Sequence, residues 1–147
     1  MNGQIKFDQE KCVGCFACYV ACISAHHGPE EEGALSCRSI RKVTVPEEGF
    51  QKNVCPGCIH CGLCIKACDR GALYRDEKTG LVLTRPEKCD GCGKCLDVCP
   101  NQVIHLDESQ KVKKCDGCLK LREKGQLPAC VRACLTGALV LRDTTGE

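Results

Sequence analysis

The stretch Cys89-Asp90-Gly91-Cys92-Gly93-Lys94-Cys95-Leu96-Asp97-Val98-Cys99-Pro100 spaces its cysteines as C-x2-C-x2-C-x3-C. The same spacing returns at Cys12, Cys15, Cys18 and Cys22, and again at Cys58, Cys61, Cys64 and Cys68. A further group, Cys115, Cys118, Cys130 and Cys134, keeps the first and last steps but inserts Leu119 to Ala129 between its middle cysteines. The likeness extends past cysteine. Glu-Lys precedes both Cys12 and Cys89, and a short strand-like run stands before each, Ile5 to Phe7 and Leu81 to Leu83. Gly71-Ala72-Leu73, Gln102-Val103-Ile104 and Gly137-Ala138-Leu139 begin three residues after a fourth cysteine. Each unit reads as strand, cysteine loop, short helix, turn. In the second group Cys55 precedes as Cys55-Pro56-Gly57-Cys58. Starting at Cys58 keeps the x3 step and aligns Gly62 with Gly93. Cys37 and Cys55 are then surplus, small hydrophobes of the kind that are commonly buried.

Working outward, 18 of 147 residues are Cys, Trp is absent, and only three Phe and two Tyr are present. Large apolar side chains are too scarce to fill an ordinary core, so disulfides or metal must substitute. The N-terminal stretch Met1 to Cys12 has neither an apolar h-region nor a twin arginine, and no apolar run approaches a membrane span. The expected compartment is the reducing cytoplasm, where structural disulfides are rare. Tight local grouping of the thiols also favours metal.

The spacing selects the metal centre. A [4Fe–4S] cube takes one thiolate per iron, and cysteines two residues apart wrap three corners of it. The fourth cysteine lies four residues of helix further on, about 6 Å, and is carried to a neighbouring cube. Motifs must therefore exchange fourth cysteines in pairs. Only Asp69 to Lys88 join the second and third motifs, enough for a hairpin around Arg75 to Leu83. These two form an inner pair, and the first and fourth flank them as an outer pair. The assignment is Cys12, Cys15, Cys18 with Cys134; Cys115, Cys118, Cys130 with Cys22; Cys58, Cys61, Cys64 with Cys99; and Cys89, Cys92, Cys95 with Cys68. Zinc fits less well, because zinc ribbons use two separated Cys-x-x-Cys knuckles.

Protein groups give a net charge of +2. Four oxidised cubes at about −2 each bring the loaded chain to about −6. Lys11, Lys88, Lys113 and Lys114 stand just before cysteine loops, either as offsets to thiolate charge or as a plain solvated face. No basic stripe with interleaved aromatics is present, so nucleic acid is not an expected partner. No dinucleotide fingerprint or P-loop is present, and every cube has four assigned thiolates, so no catalytic residue is expected. Leu119 to Pro128 reads as an inserted loop, either a tolerated surface loop or a docking element rimmed by Arg122 and Lys124. His26 and His27 fall in a polar loop, Cys37 to Val45 alternates like a strand, and Pro46 to Gly49 makes a turn.

These motifs resemble the four-cluster ferredoxin family, the iron–sulfur subunits associated with molybdenum and tungsten pterin enzymes, formate dehydrogenases, hydrogenases and carbon monoxide dehydrogenase. Cys58-Ile59-His60-Cys61 resembles the family's Cys-x-His-Cys, and Cys115 to Leu139 resembles its fourth motif, long insertion included. The chain departs from the family where Ile23, Asp69 and Leu135 replace the proline that survives as Pro100, and where the second motif's gap shortens to Gly62-Leu63. The resemblance implies an α+β fold of nested ferredoxin-like lobes, short strands and short helices around four clusters. It forms a single domain over residues 1–147, with an outer lobe of about 1–54 plus 101–147 and an inner lobe of about 55–100. The implied function is electron transfer without catalysis, four [4Fe–4S] clusters relaying electrons between a catalytic oxidoreductase subunit and a redox partner. The chain is similar to the small electron-transfer subunits that accompany tungsten aldehyde oxidoreductases, which implies such a partner. A freely diffusing polyferredoxin serving hydrogenase, formate dehydrogenase or carbon monoxide dehydrogenase is the alternative. Expected partners are the catalytic subunit, a flavin- or NADH-linked reductase subunit, and further copies of the chain extending the row of clusters. A membrane is not expected.

Overall fold

A computed structural model describes residues 3–47, 50–54 and 57–143. In chain order its elements are β1 (Gln4–Phe7), α1 (Ala17–His26), β2 (Arg41–Val45), β3 (Phe50–Val54), α2 (Leu63–Ala67), β4 (Leu73–Arg75), β5 (Val82–Thr84), α3 (Lys94–Val98), β6 (His105–Leu106), β7 (Val112–Lys113), α4 (Leu119–Glu123), α5 (Ala129–Ala133) and β8 (Leu139–Arg142). Single 3-10 turns, Gln9–Lys11 and Pro86–Lys88, lead into Cys12 and Cys89. The strands form antiparallel two-stranded ribbons, β1 with β8, β2 with β3, β4 with β5 and β6 with β7. Short strands and short helices in small sheets make this an α+β arrangement of the ferredoxin-like kind.

The repeat seen in the sequence is a repeat of backbone conformation. The residue before each second cysteine, Gly14, His60, Gly91 and Gly117, has a positive φ of 69°, 53°, 77° and 69°. This left-handed step reverses the loop so that successive thiols converge. At Gly91 it also permits close approach, since a Cβ there would stand 2.7 Å from the Gln110 carbonyl oxygen. Three residues after the fourth cysteine, Gly71, Gln102 and Gly137 again have positive φ and end their units. Ala25 occupies that position in the first motif, and nothing breaks the helix before Gly28-Pro29. Hence α1 runs on through His26, and the expectation of His26 in a loop is corrected.

Residues far apart in sequence close the structure. β1 pairs with β8 in the register Gln4 to Arg142 and Phe7 to Leu139, and α1 packs on α5. Between them, α2 packs on α3, and Lys94–Asp69 (2.6 Å) and Arg70–Asp90 (3.1 Å) ion pairs tie the second motif to the third. The β4–β5 hairpin spans the stretch expected to turn, Asp76 Oδ2 accepting from Thr79 N (3.0 Å) and Thr79 Oγ1 (2.6 Å). The principal core gathers Leu73, Val82, Ile104 and Val112 around Cys64 and Cys95. Cysteine thus occupies core positions, as the shortage of large apolar residues requires. The β6–β7 ribbon contributes to this core and covers the third loop, with Lys111 Nζ on the Cys89 carbonyl (2.6 Å).

Two further readings are corrected. The strand after Cys37 begins only at Arg41, because residues 36–38 turn inward and are buried. The inserted stretch is not all loop. Leu119 to Glu123 are good helix formers and make α4, closed by Gly125 N–H on the Arg122 carbonyl and Gln126 N–H on the Leu121 carbonyl, both 2.9 Å, in a Schellman-like end. Arg122, expected on an exposed rim, is only 4% exposed and donates to the Gly3 carbonyl at 2.8 Å. Lys124 remains exposed.

Leu73 is 3% exposed and belongs to the principal core. Leu73→Ala is expected to cost about 3 kcal/mol, read as a lowered denaturant midpoint of the metal-loaded protein with its slope unchanged.

Candidate iron–sulfur sites

The thiols converge in groups. One pocket is lined by Cys58, Cys61, Cys64 and Cys99. A second is lined by Cys68, Cys89, Cys92 and Cys95. Cys22 and Cys130 lie within electrostatic reach of Cys118, and Cys130 likewise of Cys115. Cys12, Cys15 and Cys18 follow one loop into α1, which packs on α5, and Cys134 caps the end of α5. Cys68, Cys99 and Cys134 are all C-cap residues with extended backbone, which turns each fourth thiol off the end of its helix. Cys22 differs, lying within α1. Cys37 is buried against Cys22, to whose sulfur its N–H donates at 3.4 Å. Cys55 lies outside the described residues.

Backbone and side-chain donors point at these sulfurs. His60 N–H donates to Cys58 Sγ (3.4 Å), Ala72 N–H to Cys68 Sγ (3.4 Å), Val112 N–H to Cys89 Sγ (3.3 Å) and Gly117 N–H to Cys115 Sγ (3.2 Å). Such contacts favour the charged thiolate and tune a metal centre. Burial acts the other way on the free thiols. It pushes Cys115 up to about 12 and Cys95 and Cys118 up to about 11, so metal binding at these positions releases protons. Cys22 and Cys134 move the other way, Cys22 brought down to about 5 by hydrogen bonding with Cys37 and Cys134 lowered, against its desolvation, by hydrogen bonding from the Leu139 backbone. His60 is held neutral, its pKa lowered to about 3 by burial and by Lys114 and Arg122, and its Nδ1 accepts from Val82 N–H at 3.0 Å.

A test of whether anionic clusters fit comes from charge. Two buried charged side chains, Lys114 and Arg122, come from the fourth motif, and no carboxylate is buried among the described residues. Asp116, beside Arg122, is partly exposed. Lys114 Nζ lies between the Val82 (2.5 Å) and Cys115 (2.6 Å) carbonyls, and Arg122 Nε is buried without a hydrogen-bond partner among the described residues. Buried cations without buried anions are strongly disfavoured. Sulfur-ligated clusters of negative net charge supply the missing countercharge, and the donor set fits them.

Exposure separates the motifs. The second cysteines Cys15, Cys61 and Cys92 are exposed, whereas Cys118 is buried, because α4 begins directly after it. His26, at the end of α1, brings Nε2 to 3.5 Å from Cys118 Sγ and 3.9 Å from Asp116 Oδ1. His27 Nδ1 instead meets Glu31 Oε2 at 2.6 Å. Arg122 stands four residues after Cys118 on a helical turn, a spacing that signals its return over that loop. Nothing in the sequence marks Arg38.

The family follows from comparison with known proteins. A family model described as a 4Fe-4S dicluster domain matches residues 46–144, and one described as a 4Fe-4S binding domain matches residues 4–28. The chain belongs to the 4Fe-4S dicluster domain family and is an iron–sulfur protein. It is similar to the protein NrfC of Escherichia coli, 36% identical over 137 residues, covering 90% of this chain and 61% of the relative. It is also similar to the thiosulfate reductase electron transfer subunit PhsB of Salmonella typhi, 36% identical over 141 residues, covering 90% of this chain and 71% of the relative. A tetrathionate reductase subunit of Salmonella typhimurium is 33% identical over 143 residues, covering 92% of this chain and 56% of the relative. The chain thus spans about three fifths of the length of the NrfC relatives. No helix among the described residues is long and apolar enough to cross a membrane.

Lys114→Met removes the donor shared by the Val82 and Cys115 carbonyls. It is expected to cost about 2 kcal/mol, measured as a lower thermal midpoint of the iron-loaded protein.

Proposed function

We propose that the chain is a non-catalytic electron-transfer subunit holding four [4Fe–4S] clusters between a catalytic oxidoreductase subunit and a redox partner. The observation that carries this reading is the grouping of thiols in series. Cys18 lies in electrostatic reach of Cys130, Cys58 of Cys115, and Cys64 of Cys95, so each four-cysteine set abuts the next. The sets are Cys12, Cys15, Cys18 and Cys134; Cys22, Cys115, Cys118 and Cys130; Cys58, Cys61, Cys64 and Cys99; and Cys68, Cys89, Cys92 and Cys95. The outer lobe, about 1–54 plus 101–147, carries the first two, and the inner lobe, about 55–100, the last two. When bound, each cluster supplies one-electron chemistry.

The chain's own residues hold this row and shield it. The left-handed loops aim three thiols inward, the C-cap cysteines cross to the neighbouring set, and Lys114 sits where the second and third sets meet. α4 shields the second set, while Cys15 and Cys92 leave both ends of the row accessible. An accessible thiol at each end suits two docking faces, one for a catalytic subunit and one for a reductase subunit, a soluble ferredoxin or a second copy of the chain. The relatives named for thiosulfate and tetrathionate reductases support a catalytic partner of the oxidoreductase class. A tungsten or molybdenum aldehyde oxidoreductase is the particular partner we propose.

Anaerobically purified protein is expected to contain about sixteen irons and sixteen acid-labile sulfides per chain. Stoichiometric zinc, or iron for only two cubes, would overturn the reading. Iron-free protein is expected to show no cooperative thermal transition, because binding free energy is folding free energy when the site is absent from the unfolded chain. Cys61→Ser should disturb a cluster, whereas Cys55→Ser should leave the iron count unchanged. Co-purification of a large catalytic chain that survives high salt separates a dedicated subunit from a freely diffusing polyferredoxin.

A further inference from the structure

Four lysines stand just before cysteine loops, and the structure sets one of them apart. Lys11, Lys88 and Lys113 are exposed, whereas Lys114 is only 8% exposed. Its Nζ donates to the Val82 carbonyl at 2.5 Å and to the Cys115 carbonyl at 2.6 Å. Val82 lies in β5, between the second and third motifs, and Cys115 opens the fourth. Lys114 also lines the pocket shared by Cys58, Cys61, Cys64 and Cys99. Among the described residues no carboxylate lines that pocket and none is buried. Carbonyl oxygens satisfy the ammonium's donors but carry no formal charge, so its field persists. The seat is closely built. Val82 is fully buried, and its N–H donates to His60 Nδ1 at 3.0 Å, so His60 and Lys114 hold both polar groups of this residue. Beside it, a Cβ on Gly117 would stand 3.0 Å from Leu81 Cδ1, so the fourth loop lies directly on the β4–β5 hairpin.

A positive charge near a cluster favours the added electron and raises the reduction potential. Solvent and salt screen this effect at an exposed lysine and screen it far less at a buried one. A charge fixed between two clusters acts on both, so an electron passing from one to the other stays within its field. Resting on the four-cluster reading, we infer that Lys114 is a positioning residue whose buried charge is shared by the second and third thiol sets. It raises together the potential of the cluster held by Cys22, Cys115, Cys118 and Cys130 and that of the cluster held by Cys58, Cys61, Cys64 and Cys99. The step between these two sets is the one that crosses from the fourth motif to the second, and Lys114 keeps it level.

The test uses the full iron-loaded chain in an anaerobic potentiometric titration followed by electron paramagnetic resonance. Cys118→Ser and Cys61→Ser mark the signals of the two sets. Lys114→Met is expected to lower both of these midpoints and leave the other two in place. At fixed ambient potential the reduced-to-oxidised ratio of each should fall about tenfold, a shift of about 59 mV for a one-electron couple. Lys114→Arg keeps the charge and should stay near the parent values. Lys113→Met removes the same charge from an exposed neighbour and should leave all four midpoints near the parent values. Where Lys114→Met loses iron, Lys114→Gln, which keeps a donor and drops the charge, carries the same expectation. The inference fails if neither midpoint moves, if only one moves, or if all four move together. It fails equally if Lys114→Arg or Lys113→Met reproduces the shift, or if Lys114→Met and Lys114→Gln both lose a cluster's worth of iron. Parent protein with fewer than four clusters would instead count against the four-cluster reading itself.

Discussion

The architecture depends on one geometric fact, that the second and third motifs each gather three closely spaced thiols and carry the fourth off the end of a short helix into the pocket of the other. A helix of one and a half turns cannot bring its last sulfur back to the loop it left. Each motif is therefore incomplete by itself and must lie beside another. That requirement explains why α2 lies on α3 and α1 on α5, and why the first and last strands pair although the whole chain separates them. Ribbons of two strands suffice because they share the core with cysteine. They clamp loops whose interior contact is sulfur.

The same requirement shapes the electrostatics. Anionic iron–sulfur centres would make buried cations favourable where they would otherwise be costly. Lys114 and Arg122 reach inward from the fourth motif and Arg38 from the segment before β2, and each lies near a thiol. His60 contributes differently. Kept neutral, it fills a left-handed position that glycine holds in the other motifs and uses its ring nitrogen to satisfy Val82 N–H. A non-glycine residue there carries a conformational cost of about 1 kcal/mol, offset by that buried hydrogen bond.

Much of this was legible in the sequence, and the division has physical causes. Cysteine spacing is dictated by metal geometry, so the repeat, the β4–β5 hairpin and the strand at Ile5 to Phe7 could be read directly. What could not be read were the consequences of tertiary burial. Arg122 looks like a surface residue by composition, and only the helix started by Leu119 turns it inward. His26 looks like part of a polar loop, yet α1 continues because no glycine stands three residues past Cys22. Cys37 and Arg38 begin an alternating pattern that suggests a strand, but their donors are drawn to Cys22 and Cys130. Local pattern reports what the backbone prefers, and charged interior partners override it.

The buried cations also give the chain a means of quality control. Without clusters, the buried Lys114 and Arg122 would have no buried carboxylate among the described residues to balance them, so closing the chain around empty loops would be penalised. An incompletely loaded chain would open more readily, and open chains are what proteases and chaperones act on. Completeness of the cofactor set would thereby be converted into shape, with no separate sensor.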